Sequence, residues 1–214
     1  ISDVTSLFTG ISLAPQSSTL GAGGSYNFCD GTYYVNINIL ANVELKGMSG
    51  TVILDGGGVN QVIQAEDSGS YTVNIENLTI QNGSAQYGGG MRFAYGGELT
   101  LTDVTFKDNN AYWGGALSLE YTSAVLAGVS FQSNSAEALG AIWSAYGTIS
   151  ATETEFYANT AFGEGSAIGL EYTDFTCTDC SVKNNESSSV IGGGAIALAE
   201  NSPISLTNTS LGLE

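Results

Sequence analysis

The sequence is poor in positive charge: four basic residues stand against 21 carboxylates, and the net charge is −17. Nucleic-acid binding needs clustered lysine and arginine to neutralise phosphates, so nucleic acid is not an expected partner. The same negative field disfavours binding to anionic membranes. Acidity also attracts divalent cations such as Ca²⁺, although a charge that only keeps the chain soluble is the favoured interpretation.

Apolar runs are short, and none approaches the ~18 residues that a membrane-spanning helix needs. No membrane span is therefore expected. The chain starts at Ile1 without an initiator methionine or a basic leader, which predicts a mature or excised chain. Acidity, scarce lysine and abundant Ser, Thr and Asn favour an extracellular or cell-surface location.

Proline is scarce, with 2 residues of 214, whereas glycine accounts for 29. This balance favours many tight turns between short strands over a helical bundle. The length allows one sizeable domain or a solenoid of several repeats.

Two short blocks recur along the chain at spacings of 25 to 28 residues, which indicates a repeat architecture. The first block is anchored at Ile80, Phe106, Phe131, Phe156 and Val182. The second block is a pair of small residues, and its second member is the anchor: Gly90, Ala116, Ala141, Ala167 and Ala195. After each second anchor the residues alternate apolar, variable, apolar, which predicts a strand with one buried face. The variable positions hold Arg92, Ser118, Trp143, Gly169 and Ala197.

Aligned residues of such a repeat are expected to stack into ladders. The predicted ladder residues are Asn109, Asn134, Asn159 and Asn185, and Tyr95, Tyr121, Tyr146 and Tyr172. Asparagine at a turn can adopt a left-handed conformation and bond through its amide to the copies above and below. Stacked tyrosine rings would cover the edge of the core and keep their hydroxyls in water.

A unit of about 25 residues without a helical segment is the coil length of a parallel β-helix, in which each turn stacks on the last at about 4.8 Å. A leucine-rich repeat would need its own leucine frame, and a propeller blade would need about 40 residues. We therefore predict an all-β fold, a right-handed parallel β-helix (β-solenoid), as a single domain over 1–214. Residues 1–28 are expected to cap the stack, 29–72 to form irregular coils and 73–214 to form regular coils.

The blocks FKDN, FQSN and FYAN, together with GGAL, LGAI, GSAI and GGAI, resemble the repeats of polymorphic outer-membrane-protein passenger domains. More broadly, they resemble right-handed parallel β-helix proteins of the pectate-lyase-like superfamily. The resemblance covers residues 75–214 best. It implies surface display with adhesion or self-association. No membrane barrel follows the repeats, so outer-membrane attachment by that route is not expected unless the chain is a fragment.

Catalytic patterns of that superfamily are missing from the sequence. Pectate-lyase-type elimination needs an arginine or lysine base beside a calcium site of several carboxylates. Arg92 is the one basic residue expected to face outward on a regular strand, and its row neighbours Ser118, Trp143 and Gly169 are not carboxylates. The polygalacturonase blocks are absent, and the chain has no histidine. We therefore expect no catalytic, cofactor-binding or metal-binding residue.

The cysteines suggest a local structural link. Cys177 and Cys180 occupy positions where the matching coil has inward apolar residues, so a short disulfide or two buried thiols is expected. Cys29 is left over, either buried or unpaired.

The sequence favours a secreted or surface-exposed, non-catalytic structural or adhesive module that self-associates head-to-tail through its coil ends into filaments. Host or matrix glycans are further possible partners. The alternative is a polysaccharide lyase or glycoside hydrolase of the β-helix type, with Tyr112, Trp113 and Trp143 stacking sugars. Glu120 and Glu171 share a row two coils apart, but surface decoration is the favoured interpretation of that pair.

Overall fold

The computed structural model describes residues 2–3, 16–48, 51–66, 70–95, 97–189, 194–198 and 201–212. All of its regular structure is β-strand, as predicted. The strands before the regular coils are β1 (Ser2–Asp3), β2 (Gln16–Leu20), β3 (Gly24–Phe28), β4 (Gly31–Ile39), β5 (Val43–Gly47), β6 (Val52–Asp55) and β7 (Ile63–Glu66).

The later strands follow a repeating order. They are β8 (Tyr71–Gln81), β9 (Ser84–Tyr87), β10 (Met91–Ala94), β11 (Gly97–Lys107), β12 (Asn110–Trp113), β13 (Leu117–Glu120), β14 (Ser123–Ala127), β15 (Ser130–Gln132), β16 (Ser135–Leu139), β17 (Ile142–Thr152), β18 (Glu155–Tyr157), β19 (Thr160–Ala161), β20 (Ile168–Thr178), β21 (Ser181–Lys183), β22 (Glu186–Ser187), β23 (Ile196–Leu198), β24 (Ile204–Thr207) and β25 (Ser210–Gly212).

Every strand pair is parallel and joins one coil to the next, so the chain is a parallel β-solenoid of about six turns. The predicted register is confirmed: Phe106 pairs with Ile80 on one side and with Phe131 on the other, and Phe156 pairs with Val182. Paired residues between β8 and β22 lie 25 or 26 positions apart in the sequence, and those that join β20 and β21 to the last strands lie 28 or 29 apart.

Each regular coil has four sides, named here from its first complete example. Side A is residues 71–76, side B is residues 78–81, side C is β9 and side D is β10. Sides A, B and D belong to a 20-stranded sheet, and side C forms a separate sheet of five strands. The two coils before β8 contain sides D, A and B without a side C, which explains why their length is less regular.

The coil turns its corners through residues with positive φ. The corner between sides A and B holds Asn77, Asp103, Gly128, Glu153, Asp179 and Asn208. The corner after side B holds Asn82, Asp108, Ser133, Ala158 and Asn184. The corners before and after side D hold Gly88, Gly114, Gly140 and Gly165, and Tyr95, Tyr121, Tyr146, Tyr172 and Asn201. One left-handed residue at each corner lets a strand change direction without interrupting the pairing between coils.

The expectation of a left-handed conformation at the asparagine ladder is wrong by one position. The left-handed residue is the one before it, such as Asp108 before Asn109 and Ser133 before Asn134. This corner therefore turns first, and the asparagine that follows points its amide into the stack, where Asn109 and Asn134 are almost fully buried.

The core runs the length of the stack as rows of identical or similar side chains. Phe106, Phe131 and Phe156 are fully buried and stack in parallel, with ring centroids 5.1 and 4.9 Å apart. Rows of this kind form because a strand pair in register places equivalent residues directly above one another.

The coil stack begins within the predicted cap of residues 1–28. Strands β2 and β3 pair in parallel with β4 and β5, and Leu20 and Phe28 are buried. Residue 1 and residues 4–15 of the predicted cap lie outside the described residues.

Replacing Gly114 with alanine is expected to lower the free energy of unfolding by about 2–4 kcal/mol, since a left-handed alanine is strained and overpacking adds to the cost. Gly114 has φ +60°, and a Cβ there would lie 2.3 Å from the Leu117 carbonyl oxygen and 2.8 Å from the Trp143 nitrogen. Gly58 supplies the control: its φ is +73°, but no atom lies within 4 Å of the position of a Cβ. Its alanine variant should lose only about 1 kcal/mol, from strain alone. Chemical unfolding compares the two, and equal losses would show that space at this corner does not matter.

Candidate functional site

The asparagine ladder binds consecutive coils through a chain of amides. The Nδ2 atoms of Asn109, Asn134 and Asn159 donate to the Oδ1 of the next asparagine at 3.0, 3.0 and 2.9 Å, ending at Asn185. Each Nδ2 also donates to the carbonyl oxygen of the first-block residue on the preceding coil, as Asn134 does to Phe106. The four predicted residues are thus brought together, and their polar atoms are satisfied inside the stack.

The tyrosine ladder lies at the corner after side D. Neighbouring rings of Tyr95, Tyr121, Tyr146 and Tyr172 are 6.5, 4.9 and 4.9 Å apart and nearly parallel. All four residues have positive φ, a conformation that is unusual for a bulky side chain. Stacking and contact along the column offset the backbone strain, and the faces of the inner rings are covered by their neighbours, which leaves ring edges toward solvent.

Two of the three cysteines form a disulfide, and the third is a free thiol. Cys177 and Cys180 are joined by a disulfide, buried on sides A and B of the same coil. Cys29 is a free, exposed cysteine.

An aromatic cluster covers side D of the middle coils; it consists of Tyr87, Tyr112, Trp113 and Trp143. Tyr87 and Trp113 pair with one another at the end of side C, immediately before the glycine corner. That corner directs their rings over the outward row of side D, where their centroids lie 5.7 and 5.6 Å from the Trp143 ring. Tyr112 packs edge-on against Trp113 and is half exposed.

On the next coil, the side chain at the end of side C again covers the outward row of side D. Leu139 pairs with Trp113 and lies over Gly169, where an added Cβ would be 2.6 Å from the Leu139 Cβ. Glycine at position 169 therefore leaves room for the side chain that covers it, and the cluster ends there.

Arg92 links the cluster to two carboxylates. Its guanidinium lies 4.5 Å from the centre of the Tyr87 ring. Its Nη1 and Nη2 atoms bind Glu66 at 2.5 Å and Glu120 at 2.8 Å. The arginine side chain is only 17% exposed, so these contacts are largely shielded from solvent.

The sequence predicted the row of Arg92 but missed both of its carboxylates. Glu66 and Glu120 lie one row further along side D, on the coils before and after Arg92. A long arginine side chain reaches diagonally to such neighbours. Glu120 thus forms a salt bridge with Arg92. Glu171, which the sequence placed in the same row as Glu120, has no salt bridge among the described residues.

Three buried donors in this row have no hydrogen-bond partner in the part of the chain that the structure describes. They are the Nε of Arg92, the hydroxyl of Ser118 and the Nε1 of Trp143, which lie on consecutive coils. Ser118 is fully buried, and Trp143 is 9% exposed. Buried polar groups are nearly always paired, so a row of three unpaired donors marks this part of the surface as unusual.

A second ion pair lies on side A, away from the aromatic cluster. Lys46 donates to the two carboxylate oxygens of Glu76 at 2.8 and 2.7 Å. This hydrogen bond raises the pKa of Lys46 above its ordinary value.

The last described coil exposes residues that continue the rows of the core. Leu198, Leu206 and Leu211 continue inward rows, yet they are 54, 38 and 58% exposed. Their partners on the preceding coil, such as Leu170 and Val182, are buried. Among the described residues, no strand pairs with the outer edges of β23, β24 and β25. A cavity of about 500 Å³, lined by Val182, Asn185, Ile196 and Leu211 among others, opens at this end.

Within the described ranges, no group of three or more His, Cys, Asp or Glu side chains could hold a metal ion. The expectations of no cofactor and of weak calcium attraction remain predictions. No helix in the described part of the chain is long and apolar enough to cross a membrane.

Comparison with protein-family models, with curated proteins and with solved structures found no match to this chain.

Proposed function

We propose that this chain is a non-catalytic structural and adhesive module of the extracellular medium or the cell surface, and that it self-associates head-to-tail. The observation that carries the proposal is the open last coil. It combines strand edges that pair with no other described strand with three exposed leucines that belong to buried rows. An exposed strand edge beside apolar surface is a template for pairing with another chain.

The occupant that fits this end is a second copy of the chain. The final strands β23, β24 and β25 occupy sides D, A and B. The first complete coil likewise has sides D, A and B without a side C, and β1 already pairs with the outer edge of its side A strand, β3. A parallel stack joined at these ends would keep the strand direction and extend the same rows, as in a heterologous contact that builds a filament.

The resemblance of the repeats to polymorphic outer-membrane-protein passengers supports surface display, and we propose a place for the chain among the pectate-lyase-like β-helix proteins on the same ground. Charge affects the assembly as well. Copies with a net charge of −17 repel one another, so salt should favour association by screening.

Light scattering and electron microscopy of the purified chain test assembly. The wild type is expected to grow in size with concentration and with salt, and Leu211→Asp is expected to remain monomeric because the substitution places a charge on the docking surface. Phe162→Asp is the matched control: Phe162 is 69% exposed but lies on the flank of the stack, so its variant should assemble normally. A wild type that stays monomeric at high concentration, or equal assembly of both variants, contradicts the proposal.

The non-catalytic part is tested separately. Incubation with acidic and neutral polysaccharides, with and without calcium, should release neither unsaturated nor reducing ends. Release above a buffer control would support the enzyme interpretation instead.

A further inference from the structure

The donor row under the aromatic cluster lacks acceptors. Arg92 Nε, Ser118 Oγ and Trp143 Nε1 are all able to donate a hydrogen bond but make none among the described residues, and a folded protein gains stability when such buried groups are paired. The carboxylates of this surface, Glu66 and Glu120, are bound by the other two nitrogens of Arg92. A ligand that supplies oxygen acceptors would satisfy these donors.

The surface above the row suits the faces of sugar rings. Tyr87 and Trp113 are partly exposed and occupy paired positions on neighbouring coils, and Tyr112, which is half exposed, packs edge-on against Trp113. Aromatic rings provide rigid, apolar contact area beside polar groups, which is the usual composition of a small-molecule site.

The charge of the site selects among sugars. One guanidinium between two carboxylates leaves a local excess of one negative charge, and the whole chain carries −17. An acidic polysaccharide would be repelled, whereas a neutral sugar hydroxyl can donate to Glu66 or Glu120 and accept from the unpaired donors.

We propose that the aromatic cluster and the row beneath it form a binding site for a neutral saccharide. The sugar rings contact Tyr112 and Trp113, and a hydroxyl reaches Ser118 and Trp143 when the covering ring of Trp113 turns aside. Such a site gives the adhesive part of the proposed function a ligand. It lies on the flank of the stack, so it stands or falls separately from head-to-tail assembly.

The two tryptophans of the chain are Trp113 and Trp143, so all intrinsic tryptophan fluorescence reports on this site. Hexamers of glucose, mannose, galactose and N-acetylglucosamine are titrated into the Leu211→Asp variant, with a galacturonate hexamer in parallel. A saturable spectral change with at least one neutral hexamer, and at least tenfold weaker binding of galacturonate, is expected. No saturable change with any neutral hexamer, or a preference for galacturonate, overturns the proposal while leaving the test of assembly untouched.

Two variants separate binding from folding when affinity is measured by calorimetry. Ser118→Ala removes a buried, unpaired hydroxyl, so it should raise the thermal midpoint yet weaken saccharide binding at least threefold. Trp113→Ala should weaken binding at least tenfold, and Tyr157→Ala, which removes an exposed ring on side B, should not change it. Unchanged saccharide binding by both Ser118→Ala and Trp113→Ala rejects the site. A crystal structure of the protein grown with the saccharide that shows only an ordered water on the three donors rejects it as well.

Discussion

Replacing Asn134 with leucine is expected to lower the free energy of unfolding by about 3–6 kcal/mol, because four surrounding polar groups would each lose a hydrogen bond. The Asn134 amide accepts from the backbone nitrogen and from the Nδ2 of Asn109, at 3.1 and 3.0 Å. It also donates to the carbonyl oxygen of Phe106 and to the Oδ1 of Asn159. Leucine keeps the branching of asparagine at Cγ but is larger, so no cavity contributes to the loss, and overpacking adds to that of the hydrogen bonds.

The measurement is chemical denaturation followed by circular dichroism. Asn110→Ala is the matched control: Asn110 lies next to the ladder in the sequence, but its side chain is exposed, and its variant should change stability by less than about 0.5 kcal/mol. A loss below about 1 kcal/mol for Asn134→Leu would mean that water replaces the amide ladder at little cost.

Much of the fold is determined by features that a single sequence displays. The recurrence from Ile80 to Val182 predicts the pairing of every coil between them, since parallel stacking in register requires equal spacing. The earlier coils were harder to predict. Gln16 pairs with Val35, 19 residues later, whereas Val43 pairs with Val73, 30 residues later, and no motif marks these changes.

Corners were less predictable than rows. The left-handed residue before the asparagine ladder is Asp108, Ser133, Ala158 or Asn184, and no shared chemistry distinguishes this position in the sequence. At the tyrosine corner the usual preference for glycine or asparagine is overridden by stacking along the column, a tertiary effect that local propensity does not contain.

The aromatic cluster shows why the site was only partly predicted. Alternation along a strand assigns Arg92, Ser118 and Trp143 to one outward row, and the structure places them there. Alternation does not say that Tyr87 and Trp113 fold across the corner and bury that row. The one signal in the sequence is Gly169, a residue without a side chain at the position that Leu139 covers.

Replacing Phe131 with alanine is expected to cost about 3–5 kcal/mol, the range for deleting a fully buried aromatic side chain. The Phe131 ring is the middle one of three, stacked on Phe106 at 5.1 Å and on Phe156 at 4.9 Å. A cavity there would be enclosed by coils on both sides, and strand pairing above and below would prevent the neighbours from collapsing into it.

Amide hydrogen exchange shows which coils lose protection in the Phe131→Ala variant. Each coil contacts only its neighbours, so amides of β11, β15 and β18 should exchange faster in the variant, while those of β4 and β5 should keep their protection unless the stack unfolds as one unit. Phe162→Ala, at a ring that is 69% exposed, should leave both regions unchanged. Equal acceleration of amide exchange in β5 and β15 at low denaturant would show that the solenoid unfolds cooperatively over its whole length. In that case the hydrogen bonds and side-chain rows that join the coils outweigh the stability of any one coil.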